Sequence, residues 1–149
     1  MFALALLYPS DPFDRSVVDE AYAAEATAAR TAGVECFTFS YEDFLDTGKV
    51  KIRPFTDVPS VMLYRGWMMQ PLVYAMFQSA VCASGHQLLI SPECYTSCHH
   101  LPGWYGAISD LTPETIILDS VEDVSTAISN ANWPEGYFVK DFVKCSRSQ

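Results

Sequence analysis

Positive charge is scarce in this sequence. Nine Lys and Arg stand against eighteen Asp and Glu. The resulting net charge of −9 argues against a nucleic-acid partner, because binding a phosphate backbone by counterion release needs clustered cations. Glycine-rich phosphate loops are missing as well: there is no GxGxxG and no GxxxxGKS/T, and neither HExxH nor GxSxG occurs. Long apolar runs are also lacking. The opening "MFALALLY" has no basic flank, is short, and runs into "PSDP" rather than a small-residue cleavage pattern, so no leader is expected. Nothing else approaches the length needed to cross a bilayer, and no membrane partner is expected. Five cysteines at irregular spacing in 149 residues do not make a disulfide framework and read as reduced thiols of a cytoplasmic protein.

What is present is apolar material in an alternating order. Half of the residues are hydrophobic, enough for a compact core that removes roughly two-thirds of the unfolded surface from water. "ALALLY", ended by Pro9, has the continuous apolar pattern of a strand buried on both faces of a parallel sheet. Residues 14–32 read as a helix, with Asp14 as N-cap, alanines and Val18, Tyr22 and Ala28 at three- and four-residue spacing, and Gly33 to close it. "VECFTFS" reads as a second strand. Residues 41–59 are the least regular, with "KVKIRPF" as a short strand over the sheet or at its edge, and Glu42, Asp43 and Asp46 in a solvated turn. "SVMLYRGW" is a third strand, "QPLVYAMFQSAVCASG" a helix with Pro71 in its first turn, and "QLLIS" a fourth strand. Ser91 and Pro92 open a short helix, "ETIIL" is another strand, and "VEDVSTAISNAN" a further helix. The order predicts an α/β fold, a mainly parallel sheet with helices on both faces. After the turn-rich "NANWPEGY" a last strand, "YFVKDFVK", begins.

Three places carry candidate chemistry. On the last strand Phe138, Lys140, Phe142 and Lys144 share one face. A lysine among aromatics suits a nucleotide, the apolar walls holding the base and the ammonium the phosphates; the same pattern also suits an edge strand guarded by lysines. Arg65 in "VMLYRGW" falls at the carboxyl end of a strand, where open α/β sheets bind ligands. It has the fork geometry to hold a carboxylate or phosphate, helped by close approach at Gly66, or it pairs with a surface carboxylate. Tyr8, Pro9, Ser10 and Asp11 follow the first strand and fit the same crevice. Cys94 and Cys98 lie four apart on a helix beside His99 and His100, but the spacing matches no standard zinc pattern, and no metal site is expected.

The motifs "YPSDP", "VDEAYAAEATAAR", "LYRGWM", "SPECYTSCHHLPGWY", "LTPETIIL" and "WPEGYFVKDFVK" follow one another in that order. Together they resemble the amino-terminal half of a small ATP-grasp clade named for two arginines and a lysine, and the resemblance extends to Lys144. It implies a Rossmann-like pre-ATP-grasp domain over residues 1–134 and, over residues 135–149, the first strand of an ATP-grasp lobe. It further implies ATP and Mg2+ as cofactors, and ligation of a small-molecule or peptide carboxylate to an amine or thiol through an acyl phosphate. By this resemblance Lys140 matches the strand lysine that contacts ATP phosphates, Lys144 is a second cofactor-binding candidate, and Arg65 matches one naming arginine, in a catalytic role. The other arginine is unassigned, with Arg53 one option. The family's strand continues into a glycine loop and a lobe carrying magnesium ligands, and "CSRSQ" stands in that place here. The chain alone is therefore expected not to turn over ATP, since phosphoryl transfer relies on those groups. The alternative expectation is a non-catalytic α/β binding or oligomerisation module, a homodimer or a chain complemented through its exposed last strand.

Overall fold

The computed structural model describes residues 4–118, 120, 123–131 and 133–142. At its centre lies β1, Leu4–Pro9. An uncharged apolar run of this kind is buried when strands pair along both its edges. Here β2 (Cys36–Phe39) lies on one side with Cys36 opposite Leu6, and β3 (Val61–Tyr64) on the other with Val61 opposite Leu4. A two-residue β4, Gln87–Leu88, joins β3. All the pairings are parallel, in the order β2-β1-β3-β4.

Successive side chains of β1 point to opposite faces. Ala5 and Leu7 enter the larger core with Phe37, Phe39 and Met62 of the neighbouring strands and with Tyr74, Phe77, Ala80 and Val81 of α3 (Pro71–Ala83). Leu6 and Tyr8 enter a smaller cluster with Val18 and with Ala26 of α1 (Ala23–Thr31). Helices therefore cover both faces, as the alternation of elements predicts. The helix α3 follows its expected span: Pro71 sits in the first turn, apolar residues recur three and four apart, and Gly85 lies just beyond the end with a φ of 90°.

Several expectations are corrected. The first helix is shorter than the composition predicts, and Asp14 is not its cap. Asp11 accepts from the amides of Phe13 and Asp14, and Asp14 from that of Ser16, turning residues 11–16 into a loop. Asp19 caps instead, accepting from Ala21 N and opening a 3-10 turn, Glu20–Tyr22, that runs into α1. The acidic stretch after β2 is a helix, α2 (Tyr41–Thr47), capped by Ser40 and closed by Gly48 at a φ of 68°.

The helix α4, Pro92–His99, starts as expected with Ser91 accepting from Cys94 N. A further helix, α5 (Leu101–Ile108), follows it where the sequence predicts no element. Pro102, Gly103 and Gly106 lower the intrinsic helix propensity there. What they allow is a close crossing, since a Cβ on Gly103 would come within 2.9 Å of the Thr96 carbonyl oxygen. The last helix among the described residues is α6, Val124–Ala131.

Two expected strands do not form within the described residues. Residues 113–118 and 136–142 are irregular. An apolar extended segment becomes a strand only when another backbone lies in register beside it. Thr115 N instead donates to the Tyr105 hydroxyl, and Leu101 N donates to Phe142 O. By contrast, the residue that ends "KVKIR" reaches a sheet edge, with Arg53 and Thr38 of β2 exchanging backbone hydrogen bonds of 2.7 and 2.8 Å.

Candidate functional site

The chain leaves β1 for β2 on one side and returns to β3 on the other, so the strand order reverses between β1 and β3. In open α/β sheets the crevice outside the carboxyl ends of the strands at that reversal is the usual ligand position. Arg65 sits there: its amide donates to Leu7 O at 2.9 Å, carrying the β1–β3 ladder one residue past the strand.

The Arg65 guanidinium grips Glu25 of α1 with two bonds, Nε to Oε1 at 2.7 Å and Nη2 to Oε2 at 2.9 Å. Tyr8 Oη, from the end of β1, donates to the same Oε1 at 3.2 Å. Three elements thus converge on one carboxylate. Tyr22 lies over Tyr8 with ring centres 6.3 Å apart, and meets Trp67 edge-on at 5.4 Å. The Arg65 hydrogen bonds hold the Glu25 carboxyl below its ordinary range. Burial first, and the Glu25 charge second, push the Tyr8 phenol up to about 12, so it remains a protonated donor at neutral pH. Both members of the ion pair keep access to water, with side-chain exposures of 49% for Arg65 and 39% for Glu25. A half-exposed guanidinium fixed by a carboxylate and flanked by aromatic rings can orient a small anion, and the described cluster places no activated nucleophile beside it.

Of the two readings open for Arg65 in the sequence, the pairing with a carboxylate is realised. Gly66 serves a different purpose from the one expected: a Cβ there would overlap the Tyr64 ring, whose hydroxyl donates to Trp67 O at 2.8 Å. Tyr8 joins Arg65 through Glu25, whereas Ser10 is buried with its Oγ unpartnered and Asp11 is committed to its own turn. Glu25, Tyr22 and Trp67 are not singled out by sequence reasoning. Tyr22 and Glu25 stand three apart at the start of a helix, a spacing that puts them on one face, but in an alanine-rich segment it reads only as helical packing.

Lys140 is exposed and lies in the irregular segment, two residues before Phe142, whose ring meets His100 edge-on at 5.3 Å beside the start of α5. No ion pair or hydrogen bond among the described residues joins it to Arg65. Lys144 lies outside the described residues. Cys94 and Cys98 are both exposed on α4, and among the described residues no three His, Cys, Asp or Glu side chains gather closely enough to hold a metal. A shallow open groove of about 420 Å3 between α3 and α4, lined by Pro71, Ala75, Pro92, Glu93, Thr96 and Ser97, lacks the cluster's residues.

The architecture is that of a Rossmann-like α/β protein with the Arg65–Glu25–Tyr8 cluster at its switch point. Among the described residues no helix is long and apolar enough to cross a membrane. Comparison with family models, with curated proteins and with solved structures finds no match.

Proposed function

We propose that this chain is the amino-terminal α/β domain of an ATP-grasp protein that ligates a carboxylate to an amine or thiol by way of an acyl phosphate. The observation that carries the reading is the position of Arg65 at the carboxyl edge between β1 and β3 of a parallel sheet, taken with the ordered motifs that resemble the clade. On this reading Arg65 faces the acceptor or a phosphate in the interdomain cleft. Lys140 and Lys144 approach the phosphates of Mg·ATP, and the exposure of Lys140 leaves it free to do so. Calorimetric titration with Mg·ATP tests the proposal. Saturable heat is expected with the unaltered chain and a loss of roughly tenfold or more in affinity with Lys140→Ala, the size of one charged phosphate contact. An absence of heat at millimolar nucleotide would remove the nucleotide from this chain's own repertoire.

A second reading, a non-catalytic module that pairs with another chain or with itself, is favoured by one specific feature. Tyr137, Phe138 and Val139 are successive, apolar and exposed, Phe138 completely so. Light scattering distinguishes the two readings. A dimer that Phe138→Asp converts to monomer supports the module, whereas a monomer indifferent to that change counts against self-pairing.

A further inference from the structure

Among the described residues, the densest run of positive charge lies along the edge of the sheet beyond β2. Residues 49–53, "KVKIR", alternate without exception: Val50 and Ile52 are buried in the larger core, and Lys49, Lys51 and Arg53 are exposed. That is the period of an extended chain. Its far end is pinned to β2 by the Arg53–Thr38 backbone pair. Three cations with no intervening acid therefore stand in a row, about 7 Å from one to the next in extended backbone. The ion pairs among the described residues, Arg15 with Asp43 and Arg65 with Glu25, engage none of the three. Arg53 helps hold the Asp14 carboxyl below its ordinary range, a smaller effect than the hydrogen bonds Asp14 accepts from Ser16. Phe13, beside Asp14, and Phe55, two residues past Arg53, are exposed by 98% and 88%.

We infer that this stripe is a docking surface for an extended acidic segment of a partner protein. An acidic strand with carboxylates at every second residue has the same spacing as the three cations, so each charge meets a counterpart without distortion of either backbone. The exposed phenylalanines in the loops beside Arg53 supply apolar anchors for that end of the docked segment. A long nucleic acid is disfavoured by the rest of the molecule. Residues 66–139 contain seven Asp and Glu and neither Lys nor Arg, so a polyanion running beyond the stripe would meet repulsion. A short peptide need cover only the five residues. Edge lysines also deter strand-to-strand aggregation, and the test separates the two roles.

A short fluorescein-labelled peptide alternating glutamate and threonine is titrated by anisotropy. The partners in the comparison are the unaltered chain and a Lys49→Gln, Lys51→Gln, Arg53→Gln triple variant, whose changes are all on exposed side chains and whose fold is checked by circular dichroism. Saturable binding is expected, weakened roughly tenfold or more in the variant and weakened again when salt rises from about 50 to about 300 mM. Any binding of a lysine-for-glutamate version of the peptide should not be weakened by the triple substitution, since the chain's net charge of −9 attracts it elsewhere. Equal binding by the variant, or no saturation at millimolar peptide, overturns the inference. So does tighter binding of oligouridylate through the same three residues, which would assign the stripe to nucleic acid. A variant that merely gains self-association, with no peptide binding by the unaltered chain, overturns it in favour of edge protection.

Discussion

Glu25 holds three hydrogen bonds from two other elements, and the side chains that make them are far apart in sequence. Its carboxylate is the hinge of the site: it orients the guanidinium and fastens α1 to the carboxyl edge of the sheet. Because both partners are substantially solvated, the energetic value of the ion pair is modest. A double-mutant cycle with Glu25→Gln and Arg65→Gln is expected to return a coupling of about 0.5–1 kcal/mol in urea unfolding. A coupling of several kcal/mol would mean that the pair is far less solvated than its exposure indicates. Legibility at this scale was uneven. Arg65 was recognisable because an arginine after a core-type run is conspicuous, whereas Glu25 was hidden among helix-forming neighbours. A strand end and a helix flank become partners only after the crossover folds back.

At the scale of elements, the strands of the sheet centre and the long α3 were readable from apolar pattern and from Pro71, Gly33 and Gly85. The misplaced boundaries have local causes. Competing side-chain-to-backbone bonds of Asp11 and Asp14 move the first cap to Asp19. The helix α5 is an override of propensity by packing. Its two glycines make opposite predictions. Alanine is intrinsically better than glycine in a helix by about 1 kcal/mol. At Gly106 nothing lies within 4 Å of the added Cβ, so Gly106→Ala should stabilise by up to that amount. At Gly103 the obstacle is backbone, which cannot rotate aside, and overpacking of roughly 1–3 kcal/mol should outweigh the gain. Chemical denaturation of the two variants side by side checks the sign of each. Stabilisation by Gly103→Ala would show that the α4–α5 crossing is looser than described.

At the scale of the whole molecule, stability should depend on pH through a group remote from the site. His86, between α3 and β4, is buried, and its Nδ1 has no hydrogen-bond partner; its ring lies 6.4 Å from that of Phe37. Burial holds its pKa below the ordinary value. The unfolded chain therefore takes up a proton first as pH falls through about 6.5. This contribution is fully present above that value, decreases below it, and stops changing once pH is under the folded pKa. Urea midpoints compared near pH 7.5 and near pH 5.5 should decline for the unaltered chain and decline less for His86→Phe. An identical decline in both would assign the acid sensitivity to other groups.

Composition, apolar period and the order of strand-like and helix-like segments were sufficient for the α/β class and for a parallel sheet covered on both faces. These are local or additive properties: burial pattern and crossover handedness follow from the chain itself. The order β2-β1-β3-β4, the meeting of Tyr8, Glu25 and Arg65, and the failure of residues 113–118 and 136–142 to become strands were settled by the fold alone. Each depends on which backbone or charge lies alongside. Apolar alternation states only that a segment could pair, and contact across the sheet decides whether it does.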